Sequence, residues 1–210
     1  MHLESFAPRV SFIFLAYFYA HVYNDLEKPQ VKKDHILLAS PKIIINFSTG
    51  DAEIGILFYN AFLSLRQEEV SFGNGNKITI KNVLLVEQKK ATEGQAMVKT
   101  LSPIVCRDHN RDDYSNWFYT FEEPEFEPIL KRNMKEHLTK KYGDQVQYDI
   151  DRLIVEPQYM KKAVVFCHGI YIASSSGYLR LEGEAYLINH FIESGLGSLT
   201  GSGFGMLERT

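Results

Sequence analysis

Residues 184–208, EAYLINHFIESGLGSLTGSGFGMLE, decide how the second half of the chain is read. Glu184 to Ser194 reads as a helix, Gly195 to Gly205 as a glycine-rich loop, and Gly205 to Glu208 as a last strand. Five glycines in eleven residues allow positive φ and close approach of another backbone. Successive N–H groups of such a loop can form an anion-binding concavity that suits phosphate; the other reading is a flexible hairpin. A Rossmann or P-loop assignment needs a helix after the glycines, and only Met206 to Thr210 follow.

Working back from this segment, Met97 to Cys106 reads as a strand and Asp108 to Asn116 as a polar loop. Pro124 to Tyr142 reads as a helix with Phe126, Leu130, Met134 and Leu138 on one ridge. Tyr148 to Glu156 and Lys161 to Ile172 read as strands, with Gly177 to Leu181 extending the second after a Ser-rich turn. The order is β-α-β-β-α-β, that of a ferredoxin-like unit.

In the first half, Val10 to Val22 reads as a strand broken by Asn24–Asp25 and Lys28–Pro29. His35 to Leu38 and Lys42 to Phe47 read as paired strands around Ser40–Pro41. Thr49-Gly50-Asp51 caps a helix through about Leu65, with Ile54, Leu57, Phe58, Ala61, Phe62 and Leu65 at helical spacing. A turn at 72–76 leads to a strand from Lys77 to Val86, and Lys89 to Gln95 is a polar link. This half reads β-β-α-β, the same order without its opening β-α unit. The fold class is therefore α+β, tandem ferredoxin-like (RRM-like) modules, with residues 1–95 a partial module and 96–210 a whole one.

Composition narrows the function classes. Apolar residues are 45% of the 210, enough for a packed core. With 23 Lys+Arg against 26 Asp+Glu there is no basic excess, so any nucleic-acid site has to be local. Residues 1–95 carry 10 bases and 10 acids, leaving 13 and 16 for 96–210. Cys106 and Cys167 lack C-x-x-C spacing and fit packed thiols in a reducing compartment. Ser11 to Tyr23 has the length of a signal-peptide core but is aromatic and β-favouring, with no basic run ahead of it, and is too short to span a bilayer. A buried strand in a cytoplasmic protein is expected, with no membrane partner.

The spacing Gly195-x-Gly197, five residues, then Gly203-Phe204-Gly205-Met206 is similar to the C-terminal glycine-rich loop of CRISPR-associated endoribonucleases of the RAMP superfamily. Thr100-Leu101-Ser102-Pro103 resembles the strand motif that opens the second module of that family, and the helix Pro124 to Tyr142 with its Tyr-Gly end resembles its helical segment. The resemblance runs from about His2 to Glu208. It implies tandem ferredoxin-like modules gripping repeat RNA in the groove between them, with metal-independent cleavage into guide RNAs and no cofactor. His2, ahead of Pro8-Arg9 and Phe12-Ile13-Phe14, occupies the place of the catalytic histidine, which implies that the family's opening strand and helix are missing ahead of it. Where the family often carries an acidic-then-basic pair after Gly197, this chain has Ser198-Leu199.

The implied chemistry needs these residue types. A ribose 2′-OH attacks the adjacent phosphorus, leaving a 2′,3′-cyclic phosphate and a 5′-OH. An imidazole can take or give a proton near neutrality, and a cation stabilises the pentacovalent phosphate. His2 and Arg9 are the catalytic candidates. RNA-binding candidates are Gly195, Gly197, Ser198, Gly201, Gly203 and Gly205, with Arg107 and Lys131. Arg107, Arg111 and Trp117-Phe118-Tyr119 flank the polar loop and can hold or stack on unpaired bases; the aromatics can equally fill a core. Lys131, Arg132, Lys135, Lys140 and Lys141, after Glu122, Glu123, Glu125 and Glu127, suit a solvated helix whose charges complement its dipole. His21 and His168 fall in apolar strands, and His35, His109, His137 and His190 are scattered, so no metal site is expected.

The expected partner is CRISPR repeat RNA, with a CRISPR effector complex and a second copy of the chain as further candidates. Two other readings stand beside the endoribonuclease. One is a non-catalytic repeat-RNA-binding RAMP subunit or paralogue. The other is a ligand-binding or assembly protein on the same modules, since this fold hosts many functions.

Overall fold

The computed structural model describes residues 4–5, 21–26, 30–31, 36–37, 41–71, 76–167 and 169–210. In the first half, β1 (Glu4–Ser5), β2 (His21–Leu26), β3 (Gln30–Val31), β4 (Ile36–Leu37) and β5 (Ile43–Ser48) precede α1 (Ala52–Ser64), β6 (Glu69–Ser71) and β7 (Lys77–Thr79). β2 and β5 pair antiparallel from His21 opposite Ser48 to Leu26 opposite Ile43, and β4 lies between β1 and β3. Asp51 caps α1, accepting from the N–H of Glu53 at 3.0 Å and of Ile54 at 3.1 Å. Phe58 of α1 stacks on Phe47 of β5 at 4.6 Å between ring centres, with Phe62 at 6.0 Å, so the helix rests on the strand pair.

The second half holds β8 (Gln95–Thr100), β9 (Cys106–His109), β10 (Asn116–Tyr119), α2 (Phe126–Tyr142), α3 (Gln145–Arg152), β11 (Ile154–Cys167), β12 (Ile170–Glu182), α4 (Ala185–Ser194) and β13 (Leu207–Arg209). Four strands make an antiparallel sheet in the order β11-β12-β8-β13. In that order the first and third strands of the β-α-β-β-α-β unit are central, which is the ferredoxin-like arrangement. Along β8 the side chains of Ala96, Val98 and Thr100 are buried while Gln95, Met97 and Lys99 are exposed. Ala96 and Val98 join Leu130, Met134 and Leu138 of α2, Val146 and Ile150 of α3, and Leu187, Ile188 and Phe191 of α4 in one core. Cys106 is buried with its Sγ 3.3 Å from the Phe126 carbonyl, and burial pushes its thiol up to about 12.

Several local expectations are corrected. β2 runs through Asn24 and Asp25 to Leu26, and β5 pairs with β2 over six residue pairs while β4 pairs with β1 and β3. The strand from Lys77 ends at Thr79, and Leu84, Leu85 and Val86 are exposed. Met97 to Cys106 is not one strand: the chain turns at Leu101–Ser102, and β9 pairs with β10 as a separate hairpin enclosing Asn110–Ser115. Residues 145–152 form α3 rather than a strand. β11 ends at Cys167 and β12 begins at Ile170, with Gly169 before it at φ 83°, and the Ser-rich stretch is strand. Ser174 Oγ donates to the Ala163 carbonyl at 3.1 Å, and Ser175 Oγ accepts from the Phe121 N–H at 3.0 Å. The turn expected at 72–76 and the position of His168 fall largely outside the described residues. Among the described residues no helix is long and apolar enough to cross a membrane.

Candidate nucleic-acid interface

The glycine-rich loop and the Thr100–Pro103 segment, far apart in sequence, are joined by backbone hydrogen bonds. Leu101 N–H donates to Met206 O at 2.8 Å, Gly205 N–H to Pro103 O at 2.8 Å, and Met206 N–H to Ser102 Oγ at 2.9 Å. Leu196 N–H reaches Gly205 O at 2.9 Å, closing the loop on itself, and Ser198 N–H reaches Val105 O at 2.7 Å. Two glycines permit this closeness. A Cβ on Gly197 (φ 97°) would lie 2.6 Å from Val105 O, and one on Gly205 (φ 77°) would lie 2.1 Å from Leu196 O. Gly195 (φ 81°) terminates α4, Gly201 lies in the short turn Thr200–Ser202, and Gly203 (φ 90°) closes that turn.

This arrangement narrows the expected amide cradle. The N–H groups of Gly195, Leu196, Ser198, Ser202, Gly203, Gly205 and Met206 are used within the protein. Those of Gly197, Leu199, Thr200 and Gly201 have no acceptor among the described residues. Leu199 is left-handed (φ 59°, ψ 28°), and it precedes the Thr200–Ser202 turn, so three consecutive free amides sit where a backbone nest forms. β2 of the first half runs beside the same turn.

Ser198 has a positioning part: Asn133 Nδ2 of α2 donates to Arg107 O at 2.7 Å and to Ser198 Oγ at 3.3 Å. Arg107 lies beside the loop. Its Nε donates to Asn116 Oδ1 at 2.6 Å, and His109 Nδ1 is 2.9 Å from the same oxygen. Arg107, Asn116 and Phe118 line an open groove with Leu199 of the loop and with Ile170 and Ile172 of β12. Arg111 instead pairs with Glu136 at 3.1 Å, Trp117 is exposed, and Tyr119 packs against the core.

Lys131 is elsewhere on α2. It pairs with Glu127 at 2.8 Å and donates to Asp151 O at 3.3 Å. Two residues before Asn133, it points about 200° around the helix from the side chain that touches the loop. Arg132 and Lys135 pair with Asp108 at 2.9 Å and Asp151 at 2.5 Å, as a solvated helix does. His2 and Arg9 lie outside the described residues. Among those described, no three His, Cys, Asp or Glu side chains gather as a metal would require. Asn116 and Asn133 were not readable as site residues, since isolated asparagines carry no spacing signal; each acquires its place only when β9, α2 and the loop meet.

No curated protein matches the chain by sequence. Solved structures match its fold. A Cas6-related protein from Pyrococcus furiosus superposes with a TM-score of 0.79 at 21% identity, over 92% of this chain and 79% of that one. A RAMP protein described as binding different RNA substrates gives 0.74 at 19% identity, over 93% and 81%. A structure described as CRISPR associated protein Cas6 gives 0.70 at 19%, over 94% and 80%. Matches across nearly the whole length extend the tandem ferredoxin-like architecture to both halves. The sequence profile described as "CRISPR associated protein Cas6, C-terminal" covers residues 86–209, which contain the Thr100–Pro103 segment, the glycine-rich loop and the sheet that joins them. The chain belongs to the CRISPR-associated Cas6 family.

Proposed function

We propose that this protein binds CRISPR repeat RNA and cuts it into guide RNAs by metal-independent attack of a ribose 2′-OH on the adjacent phosphorus. The bond from phosphorus to the 5′-oxygen breaks, leaving a 2′,3′-cyclic phosphate and a 5′-OH. One proton leaves the 2′-OH and one is delivered to the 5′-oxygen, the two transfers an imidazole can serve. His2 is assigned to that exchange and Arg9 to the charge on the pentacovalent phosphorus, both on the family resemblance. The observation that carries the reading is the family match over a segment whose loop leaves the amides of Leu199, Thr200 and Gly201 without acceptors among the described residues. Those amides suit a backbone phosphate, with Arg107 beside them. The other loop glycines set the shape of the site, and Lys131 is assigned a peripheral RNA contact.

The test is incubation of the full-length protein and a His2→Ala variant with cognate repeat RNA in EDTA. Cleavage to a cyclic phosphate by the parent and its loss, by at least about 100-fold, in the variant is expected. Unchanged cleavage by the variant removes His2 from the mechanism, and complete loss in EDTA removes the metal-free route. Ser198-Leu199 favours a second reading, a repeat-RNA-binding protein without turnover, because no cation follows Gly197 and the Ser198 hydroxyl is held by Asn133. It predicts salt-sensitive binding and no product. Hand-over to an effector complex and pairing of two copies are read by the same experiment's retention of RNA and by the size of the complex in solution.

A further inference from the structure

The groove beside the glycine-rich loop has a composition that phosphate contact alone leaves unexplained. Arg107 and Phe118 are opposite one another in the β9–β10 ladder, as are His109 and Asn116, so all four share one face of the hairpin. Phe118, Leu199, Ile170 and Ile172 make the groove apolar, while Arg107 and Asn116 bring polar atoms to it. A concave, mostly apolar surface with a few fixed polar groups is the usual form of a small-molecule subsite.

Its parts are held before anything binds. Phe118 and Leu199 pack on Val105, Ile172 and Phe204, a small buried cluster separate from the main core. The Arg107 guanidinium is anchored through Nε on Asn116 Oδ1 at 2.6 Å, which leaves Nη1 without a protein acceptor among the described residues. Asn116 Nδ2 donates one hydrogen to Tyr114 O at 3.3 Å and keeps the other. In a loop with five glycines, the left-handed position at φ 59° is occupied by Leu199, whose side chain is a groove wall. A glycine would adopt that φ without strain, so the strained residue points to a use for its side chain.

We propose that this groove is a subsite for one unstacked nucleobase of the RNA. The inference rests on the reading of the chain as a repeat-RNA-binding protein. The base packs against Phe118 and Leu199. Arg107 Nη1 and the free Asn116 Nδ2 hydrogen donate to its edge, selecting a base with acceptor atoms there. The phosphate of the same nucleotide lies on the amides of Leu199 to Gly201. Aromatic stacking with edge hydrogen bonds is how unpaired RNA bases are held.

The experiment is an abasic scan of the unpaired positions of the repeat RNA, read as affinity for the parent protein, Leu199→Gly and Asn116→Ala. Leu199→Gly removes the wall and keeps the amides; relief of the positive φ offsets part of the lost packing on Val105, Ile172 and Phe204, so the protein stays folded with a modest fall in thermal midpoint. One position is expected where removing the base weakens the parent about tenfold. At that position the penalty shrinks to near nothing in Leu199→Gly and falls in Asn116→Ala. Equal abasic penalties in all three proteins at every position overturn the subsite while leaving repeat-RNA binding intact. Absence of any repeat-RNA binding by the parent overturns both.

Discussion

A methyl group on Gly205 would sit 2.1 Å from the Leu196 carbonyl oxygen, on a backbone whose φ of 77° already disfavours a side chain. Relief requires moving the loop off Pro103 and Leu196, breaking the bonds that join it to the Thr100–Pro103 segment. Gly205→Ala is therefore expected to cost about 2–4 kcal/mol in urea unfolding. Gly143 makes a matched control. Its φ of 78° is nearly the same, but a Cβ there meets nothing within 4 Å. Gly143→Ala should cost less than Gly205→Ala, about 1–3 kcal/mol, the penalty of a positive φ with ψ near 180° alone. Equal costs at the two positions would show that conformation, not close approach, is what the loop needs from Gly205. The spacing of glycines in the sequence marked the loop, but which of them touch another backbone depends on where Val105 and Leu196 come to lie.

At the scale of elements, α2 is entered through a closed turn in which Thr120 N–H donates to Glu123 Oε2 at 2.7 Å and Thr120 Oγ1 donates to the same oxygen at 2.9 Å. These bonds hold the Glu123 carboxyl below its ordinary value of 4.5. Because the folded state favours the ionised form, this contribution to stability is complete above pH 4.5 and is lost as pH falls below it. Glu123→Gln is expected to flatten the fall in thermal midpoint between about pH 5 and pH 3; an unchanged acid limb in the variant would remove Glu123 from it. The helix itself was legible in Phe126, Leu130, Met134 and Leu138. α3 was not. Tyr148 and Ile150 alternate with Asp149 and Asp151 as in a strand, yet Tyr148 is exposed and Asp149 is buried. Tyr186 OH of α4 donates to Asp149 Oδ2 at 2.6 Å, with Arg152 at 3.1 Å on the other oxygen. An inward-facing aspartate looks polar and outward until its partner on another helix is in place.

Across the whole molecule, hydrogen bonds among the described residues fasten the first half and the link onto α4. Ser48 Oγ donates to Glu193 O at 2.7 Å, and Gly50 N–H donates to Ser194 Oγ at 3.2 Å. Asn189 clamps the buried Ala91 twice, accepting from its N–H at 2.8 Å and donating to its carbonyl at 3.0 Å. Asn189→Ala leaves both backbone groups without these partners and should cost about 2 kcal/mol or more. Proteolysis within residues 81–94 should accelerate in parallel, while cleavage in the β8–β13 sheet does not. Protection of that link as good as the parent's would mean that the α4 contacts are redundant. Charge acts at this scale too. With 23 bases against 26 acids, no broad positive field is available, so RNA affinity should fall with salt on a shallow slope of about 0.7 for each phosphate neutralised.

Taken alone, the sequence determined the order β-α-β-β-α-β, the α1 cap within Thr49-Gly50-Asp51, the glycine loop before the last strand and the absence of a general basic field. Each of these follows from local periodicity, turn chemistry or counting. Tertiary structure decided where β11 turns into β12, that residues 145–152 are helical, and that β9 and β10 form their own hairpin. It also decided which loop amides remain without acceptors among the described residues and which side chains meet Leu199. Those outcomes depend on hydrogen bonds between residues dozens of positions apart, such as Ser175 with Ile104 and Gly205 with Pro103. No local propensity contains such bonds, because they exist only once the sheet has brought its strands together.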